Sequence, residues 1–414
     1  MNKRRVVITG LGVVAPNGIG KDEFWQANLK GVSGVDTVSD FDVSLFNSHI
    51  AAKAKDFNPL DFIPRRIAKR TDRFVHLGLA SCKLALEDAD FNLDKEDRER
   101  IGVIIGSGLG GVLFHEEQIV TAYKKESNKF EPLGIPRVSP NAVSSHIAIY
   151  YKILGPNMVI SVACSSGAIA VGESFRKVQR GEIEVCITGG TEAPLTQFTF
   201  GAYDALRVLS NRNDSPSEAS RPFDRERDGF VLGEGAAVLI LEELEHALRR
   251  GVHIYAEIIG YACNSGAYNM VIPKPDASDA TKVIVKALKD ANVKPNQIDY
   301  INAHGTSTIQ NDKVETKAIK KAFDSYAYKI PISSTKSMIG HTIGAAGAIE
   351  AVVCSLTIEN QIIPPTINYR HKDPDCDLDY TPDKPRTTKI KTVLSNSFGF
   401  GSNNACLVFK RYDG

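Results

Sequence analysis

The stretch Val159-Ile-Ser-Val-Ala-Cys-Ser-Ser-Gly-Ala-Ile-Ala-Val-Gly-Glu173 decides how this chain is read. A β-branched apolar run, Val159 to Val162, predicts a buried strand. Five small residues follow, Ala163 to Gly167, and then an apolar run, Ala168 to Val171, that predicts a buried helix with Ser165 or Ser166 near its cap. Strand, tight turn and helix place Cys164 at a helix N-terminus, among free backbone N–H groups that favour an anion. A thiol there is expected to have a depressed pKa and to act as a nucleophile. A buried cysteine also packs as a small hydrophobe, so the stretch alone leaves both readings open.

Working outward, strands alternate with helices. Strands are expected at Arg5–Gly12, Ile101–Ile105, Glu184–Thr188, Ala236–Leu241, Tyr255–Ile259, Tyr300–Ala303, Pro331–Ser334 and, last, Thr392–Ser395. Helices are expected at Asp22–Lys30, Thr71–Ala89, Leu244–Arg250, Ala280–Ala291 and Ala345–Leu356, with residues 31 to 64 irregular. This rhythm implies an α/β fold with a covered, parallel sheet. The second half repeats the first: Val159–Glu173 aligns with Ile332–Val352, and Val185–Gly190 with Val393–Gly401. We therefore divide the chain into residues 1–251, carrying the cysteine, and 252–414. Cys164, His304, Lys336, His341 and Phe400 all fall just past predicted strand ends, where such sheets build their sites.

Composition narrows the function. With 414 residues, 43% hydrophobic and 24% charged, the chain can bury a large core. A net charge of +1, from 50 basic and 49 acidic residues, gives no global pull toward nucleic acid or membrane. Seven scattered cysteines without a CxxC pair fit neither zinc nor a disulfide framework. No apolar run approaches membrane-spanning length, and the expectation is a cytoplasmic protein. Gly106-Ser-Gly-Leu-Gly-Gly111 lacks the spacing and lysine of a nucleotide loop and is read as a turn lining a pocket. The charged stretch 210–235 is read as a loop bracing the site.

Two glycine-flanked histidines complete a constellation with the cysteine. His304 lies in Asn302-Ala-His-Gly-Thr-Ser-Thr308, and His341 in Ser334-Thr-Lys-Ser-Met-Ile-Gly-His341. No carboxylate or cysteine sits at ligand spacing beside either, which disfavours a metal site and favours acyl-thioester chemistry. In these motifs the chain resembles the β-ketoacyl-acyl carrier protein synthases of the elongating, Cys-His-His type. The resemblance spans the chain: VVITGLG (6–12), VACSSG (162–167), the 220–235 loop, NAHGTST, SSTKSMIGH, GAAGAIEA (344–351), IIPPTIN (362–368), CDLDY (376–380) and NSFGFG (396–401).

The resemblance implies a thiolase-like fold: two similar halves, each a mixed, mostly parallel sheet packed by helices, in five layers αβαβα. It implies a decarboxylative Claisen condensation in type II fatty acid or polyketide synthesis. Cys164 would carry the acyl chain, and His304 and His341 would hold the malonyl thioester and its enolate. The N–H groups of Cys164 and Phe400 would form an oxyanion hole. Lys336 would organise the site or simply pair with Glu350, both readings standing open. Phe400 would gate the acyl pocket, Leu109 and Tyr203 would line it, and Thr306 and Thr308 would hold the phosphopantetheine arm. Arg65, Arg66, Lys69, Arg70 and Arg207 would dock an acidic acyl carrier protein. No cofactor is implied. The protein would pair with a second copy or with a chain-length-factor-like paralogue.

Neighbouring classes fit less well. A chain-length factor lacks the cysteine, a thiolase needs a second catalytic cysteine, and an initiating synthase has asparagine in place of one histidine. The chain departs from the elongating pattern at the entrance. Tyr268-Asn-Met-Val271 stands where a histidine and a threonine are usual, and Ser402 replaces a hinge glycine. Together with Gln310-Asn-Asp312 these changes favour a specialised synthase, such as the catalytic subunit of a type II polyketide system.

Overall fold

In the computed structural model, residues 3–125 and 129–414 are described here. Among the described residues the main sheet has eleven strands, ten in one continuous order and a short one, Gly18–Ile19, paired with the end of the first. The first half supplies β1 (Val6–Ala15), β2 (Ile101–Gly106), β3 (Asn157–Ile160), β4 (Val185–Glu192) and β5 (Gly235–Glu243). The second supplies β6 (Ala256–Ser265), β7 (Tyr300–Asn302), β8 (Ile332–Ser333), β9 (Thr392–Gly399) and β10 (Asn403–Lys410). Their spatial order is β8-β7-β9-β10-β6-β1-β5-β4-β2-β3. Each half has the same topology, and the two meet where β1 pairs antiparallel with β6 through Val6–Ile258, Val7–Glu257 and Ile8–Ala256. Within each half four strands run one way, and the last in chain order, β5 or β10, which lies beside the strand at the junction, runs against them.

The order of small and large residues explains the packing. β1 is buried along its whole length and carries glycines where a helix, α1 (Arg73–Asp88), crosses it. A Cβ on Gly12 would lie 2.0 Å from the Ser81 carbonyl, and one on Gly10 2.3 Å from that of Ala85. Asp72 caps α1 by accepting the N–H of Phe74 at 3.2 Å. Between the halves lie α2 (Ser166–Gln179) and α3 (Ala346–Asn360). They touch through small residues: a Cβ on Gly347 would sit 2.6 Å from Cβ of Ala168, and one on Gly167 2.8 Å from N of Ala348. All of α3 except Glu359 and Asn360 is buried. The helical run Ile343–Asn360 is apolar and long enough to cross a membrane by composition, but it is 89% buried inside the protein, as a core helix is.

Several expectations need correction. Val159–Val162 is not a buried strand: β3 ends at Ile160, lies at the sheet edge and is exposed to half-buried. Thr392–Ser395 is not the last strand, because β9 turns at residues 400–402 into β10 and forms a hairpin. The irregular stretch 31–64 holds two short strands, Val35–Thr37 and Ile50–Ala52, which pair with each other, and the second also pairs with Leu232–Gly233 in a small separate sheet. Unanticipated helices span Val112–Lys124, Ala142–Tyr151, Gln197–Ala205 and Ile309–Phe323.

Candidate active site

The residues predicted at strand ends converge. One cavity of about 460 Å³ is lined by Cys164, His304, His341, Thr306, Thr308, Tyr203, Arg207, Phe398 and Phe400, with Asn269, Val271 and Ser402 also on its wall. Lys336 stands behind His304 rather than on the cavity. Leu109 does not line it either, contrary to expectation. The buried carboxylate of Glu192 accepts the N–H groups of Gly108 (2.7 Å), Leu109 (3.0 Å) and Gly344 (3.0 Å) and the Ser107 hydroxyl (3.1 Å), and so holds that glycine turn.

Cys164 sits one residue before the Ser165 cap of α2. Ala163 has φ +51°, the left-handed region that a residue with a Cβ rarely enters, so the turn presenting the thiol is strained. Ser166 holds it by accepting the N–H of Val162 (2.9 Å) and donating to the carbonyl of Ala163 (2.6 Å). The Ser165 hydroxyl reaches the carbonyls of Asn403 (2.7 Å) and Ser397 (3.2 Å), which ties the nucleophile's turn to the β9–β10 hairpin.

The expected depression of the thiol's pKa is not what the surroundings produce. Burial pushes Cys164 up to about 11. The N–H of Phe400, the charge of Lys336 and the N–H of Cys164 itself pull it back only in part. A helix start favours the thiolate, but removing the sulfur from water outweighs that here. Cys164 at rest is a neutral thiol with two backbone donors beside it.

His304 follows β7 and is buried. Its own N–H and that of Gly305 both donate to Glu315 at 2.8 Å. Burial, then Lys336 and His341, hold its imidazole well below the usual histidine range, so it is neutral at pH 7. Lys336 donates to its Nδ1 at 3.4 Å. An ammonium can only donate, so Nδ1 is the acceptor and the ring proton lies on Nε2. Lys336 also forms a buried ion pair with Glu350, which takes a further hydrogen bond from Ser397 Oγ at 3.4 Å. The pairing expected for Lys336 is thus present, together with a contact to the histidine.

His341 is likewise held neutral by burial and by Lys336. Its backbone is fixed between Val231 and Gly233, at 2.7 and 2.9 Å. Its ring meets His304 edge to face, with centroids 5.4 Å apart, and packs edge to face on Phe230. Thr306 and Thr308 share a hydrogen bond of 2.9 Å on the cavity wall. The site therefore offers one thiol, two neutral imidazoles, two backbone donors and the hydroxyls of Thr306, Thr308 and Tyr203 in one pocket.

Glu192 and Glu315 are the residues that sequence reasoning missed. Both are fully buried, and burial raises each to about 7 against the N–H groups that bind it. Glu192 holds the 107–109 turn in place, and Glu315 the turn at His304 and Gly305. The 210–235 loop braces the site as expected: Arg227 pairs with Asp373 (2.8 Å) and Asp312 (3.3 Å), while Asp224 accepts the N–H groups of Arg370 and His371. At the mouth, the Ser402 hydroxyl donates to the carbonyl of Asn269 (3.0 Å) and Gly401 donates to that of Met270 (2.8 Å), joining the hairpin tip to the segment 266–272. Arg65, Arg66, Lys69 and Arg70 are exposed; Arg65 and Arg66 lie on the single helical turn Arg65–Ala68, and Lys69 and Arg70 follow it.

Comparison with known proteins agrees with this geometry. Residues 3–247 match the profile of the beta-ketoacyl synthase N-terminal domain, and residues 255–370 that of its C-terminal domain. The chain belongs to the beta-ketoacyl synthase family, whose thiolase-like fold it has. It is 45% identical over 412 residues to 3-oxoacyl-[acyl-carrier-protein] synthase 2 of Synechocystis sp., covering 100% of this chain and 99% of that one. A type II polyketide synthase ketosynthase, solved bound to a hexaketide and in complex with its acyl-carrier protein, superposes with a TM-score of 0.91 at 36% identity, covering 99% of this chain and 100% of that one. The ishigamide ketosynthase/chain length factor superposes with a TM-score of 0.93 at 31% identity, with the same coverage.

Proposed function

We propose that the chain condenses an acyl group held on Cys164 with malonyl-acyl carrier protein, releasing carbon dioxide and a β-ketoacyl-acyl carrier protein. In loading, Sγ of Cys164 attacks the acyl thioester, the carbonyl–sulfur bond to the pantetheine arm breaks, and the thiol proton ends on the departing pantetheine sulfur. In condensation, the N–H groups of His304 and His341 hold the malonyl thioester oxygen. Negative charge moves onto that oxygen as the carboxylate leaves as carbon dioxide. The enolate carbon attacks the acyl-Cys164 carbonyl, whose oxyanion takes the N–H groups of Cys164 and Phe400. The carbon–sulfur bond then breaks, and the thiolate takes one proton from solvent. The observation that carries this reading is the pair of neutral imidazoles, 5.4 Å apart, in one cavity with the cysteine. An enolate forming between them meets donors rather than a cation that would trap it.

In this reading Lys336 fixes the His304 tautomer, Phe400 gates the pocket, Tyr203 lines its acyl end, and Thr306 and Thr308 hold the arm. The arm belongs to the substrate, and the reaction balances without a further cofactor. The partner is an acyl carrier protein, docking on Arg65, Arg66, Lys69 and Arg70 and on Arg207 at the cavity mouth. The protein forms a dimer through the edge of β3. That edge adjoins the helix Ala142–Tyr151, whose Ile149 is 73% exposed, and the following Leu154 is 68% exposed. The partner is a second copy or a chain-length-factor-like paralogue, and the entrance residues Asn269, Val271 and Ser402 favour the polyketide alternative. All seven cysteines are free, which suits a reducing cytoplasm. We divide the chain at 251/252, at the junction of the two five-strand halves.

The test supplies hexanoyl- and malonyl-carrier protein and follows the β-ketoacyl-carrier product. Product formation that vanishes in C164A supports the proposal. Product formation unaffected by C164A contradicts it.

A further inference from the structure

Among the described residues of the cavity wall, the Tyr203 hydroxyl is one polar group that forms no hydrogen bond. Tyr203 stands at the apolar end, where Val208, Phe230 and Ile343 supply the wall. Its ring is fixed edge to face on Phe230, with centroids 5.7 Å apart and planes at 77°. Its hydroxyl makes no hydrogen bond with any described residue, and it is not sealed in the core with the buried unpaired atoms, so it opens onto the cavity. Burial, with Cys164 and Glu192 nearby, keeps the phenol protonated, so it is a donor at every working pH. Phe400 stands on the same cavity.

The chemistry of the occupant follows. An open cavity lets water satisfy the phenol. An acyl chain on Cys164 displaces that water, and a saturated chain then leaves a donor against methylene groups. A buried donor without an acceptor is costly, whereas a matched one is mildly favourable. Sites that hydrogen-bond a substrate oxygen therefore discriminate strongly against the analogue that lacks it. We propose that Tyr203 selects acyl chains bearing a hydroxyl or keto oxygen on the first few carbons beyond the thioester, over saturated chains of equal length. This rests on the reading that Cys164 carries the acyl group, and it narrows the substrate class of that site.

The test compares the rates at which hexanoyl-, 3-hydroxyhexanoyl- and 5-oxohexanoyl-carrier protein acylate Cys164, followed by intact mass, in the full-length protein and in Y203F. The expected result is an oxygenated chain transferred about tenfold faster than hexanoyl, with that ratio falling to near one in Y203F. An unfolding midpoint equal to that of the unsubstituted protein shows that the change is not loss of fold. Equal rates for all three chains, or a preference that survives in Y203F, overturns the selection while leaving Cys164 as the acyl carrier. No acylation by any of the three overturns the selection and the underlying reading together.

Discussion

Replacing Lys336 by methionine separates its two roles. Lys336 and Glu350 are each 2% exposed, so K336M strands a buried carboxylate with only Ser397 at 3.4 Å. Breaking such a pair from one side costs about 3–5 kcal/mol. Unfolding entropy of roughly 2.1 cal/mol/K per residue over 414 residues converts this to a midpoint lowered by about 3–6 °C. The double variant K336M/E350L fills the same volume with apolar groups and should recover most of that loss. Catalysis should not recover. Without the donor 3.4 Å from Nδ1 of His304, the ring proton is no longer confined to Nε2, and the donor facing the enolate is lost part of the time. We expect carbon dioxide release from malonyl-carrier protein to fall by about tenfold in the single and the double variant, less than the hundredfold to thousandfold loss for one oxyanion donor removed outright, because the donor is lost only part of the time. Differential scanning calorimetry and a carbon dioxide release assay measure the two effects. A double variant that is stable and decarboxylates at the unsubstituted rate would refute the reasoning and make the pair purely structural.

Other consequences are open to direct measurement. Because burial holds Cys164 up at about 11, its alkylation by iodoacetamide should quicken close to tenfold per pH unit from 7 to about 9.5; a plateau near pH 7 would mean a preformed thiolate. S402G removes the hydroxyl that clasps Asn269 and relieves a side chain at φ +60°, so stability should change little while Cys164 loads about fivefold faster; unchanged loading would remove the clasp from the gate's motion. His246 is raised by its bond to Glu242 (2.5 Å), against burial, with Glu96 (2.9 Å) helping and with Arg250 and Glu243 also at the cluster. Its stabilisation is therefore complete below the unfolded value of about 6.5 and is lost as pH rises through the higher folded value. The unfolding midpoint should fall from pH 6 to pH 9 more steeply than in H246Q, and parallel curves would contradict this.

Much of the site was legible because its parts sit at strand ends, where motif and position coincide. Cys164, His304 and Phe400 each follow a run read as a strand by one to five residues, and the repeat of strand, small turn and helix foreshadowed the two matching halves. The helix Ile309–Phe323 was not anticipated, although its signals are local. Thr308 caps it by accepting the N–H of Asn311, and Ala318, Ile319, Ala322 and Phe323 recur at helical spacing. The apolar run Ala405–Phe409, after a glycine turn, was likewise a local signal for β10 that the reading of Thr392–Ser395 as the last strand passed over. Glu192 and Glu315 were not legible, since a lone carboxylate carries no local pattern and becomes buried only when distant loops close over it. The thiol's pKa failed for the same reason: the helix start is local, whereas desolvation is set by the whole fold. Leu109 was misplaced because its backbone, not its side chain, does the work, through Glu192.

The central claim is that Cys164 carries the acyl chain while two neutral histidines make the enolate. Intact mass spectrometry after incubation with hexanoyl-carrier protein, followed by addition of malonyl-carrier protein, tests it most directly. The account predicts a hexanoyl adduct that maps to Cys164 and disappears as a β-ketoacyl-carrier product forms, alone or once a partner subunit is supplied. A Cys164 that stays unmodified with every acyl-carrier protein, partner present or not, would contradict it.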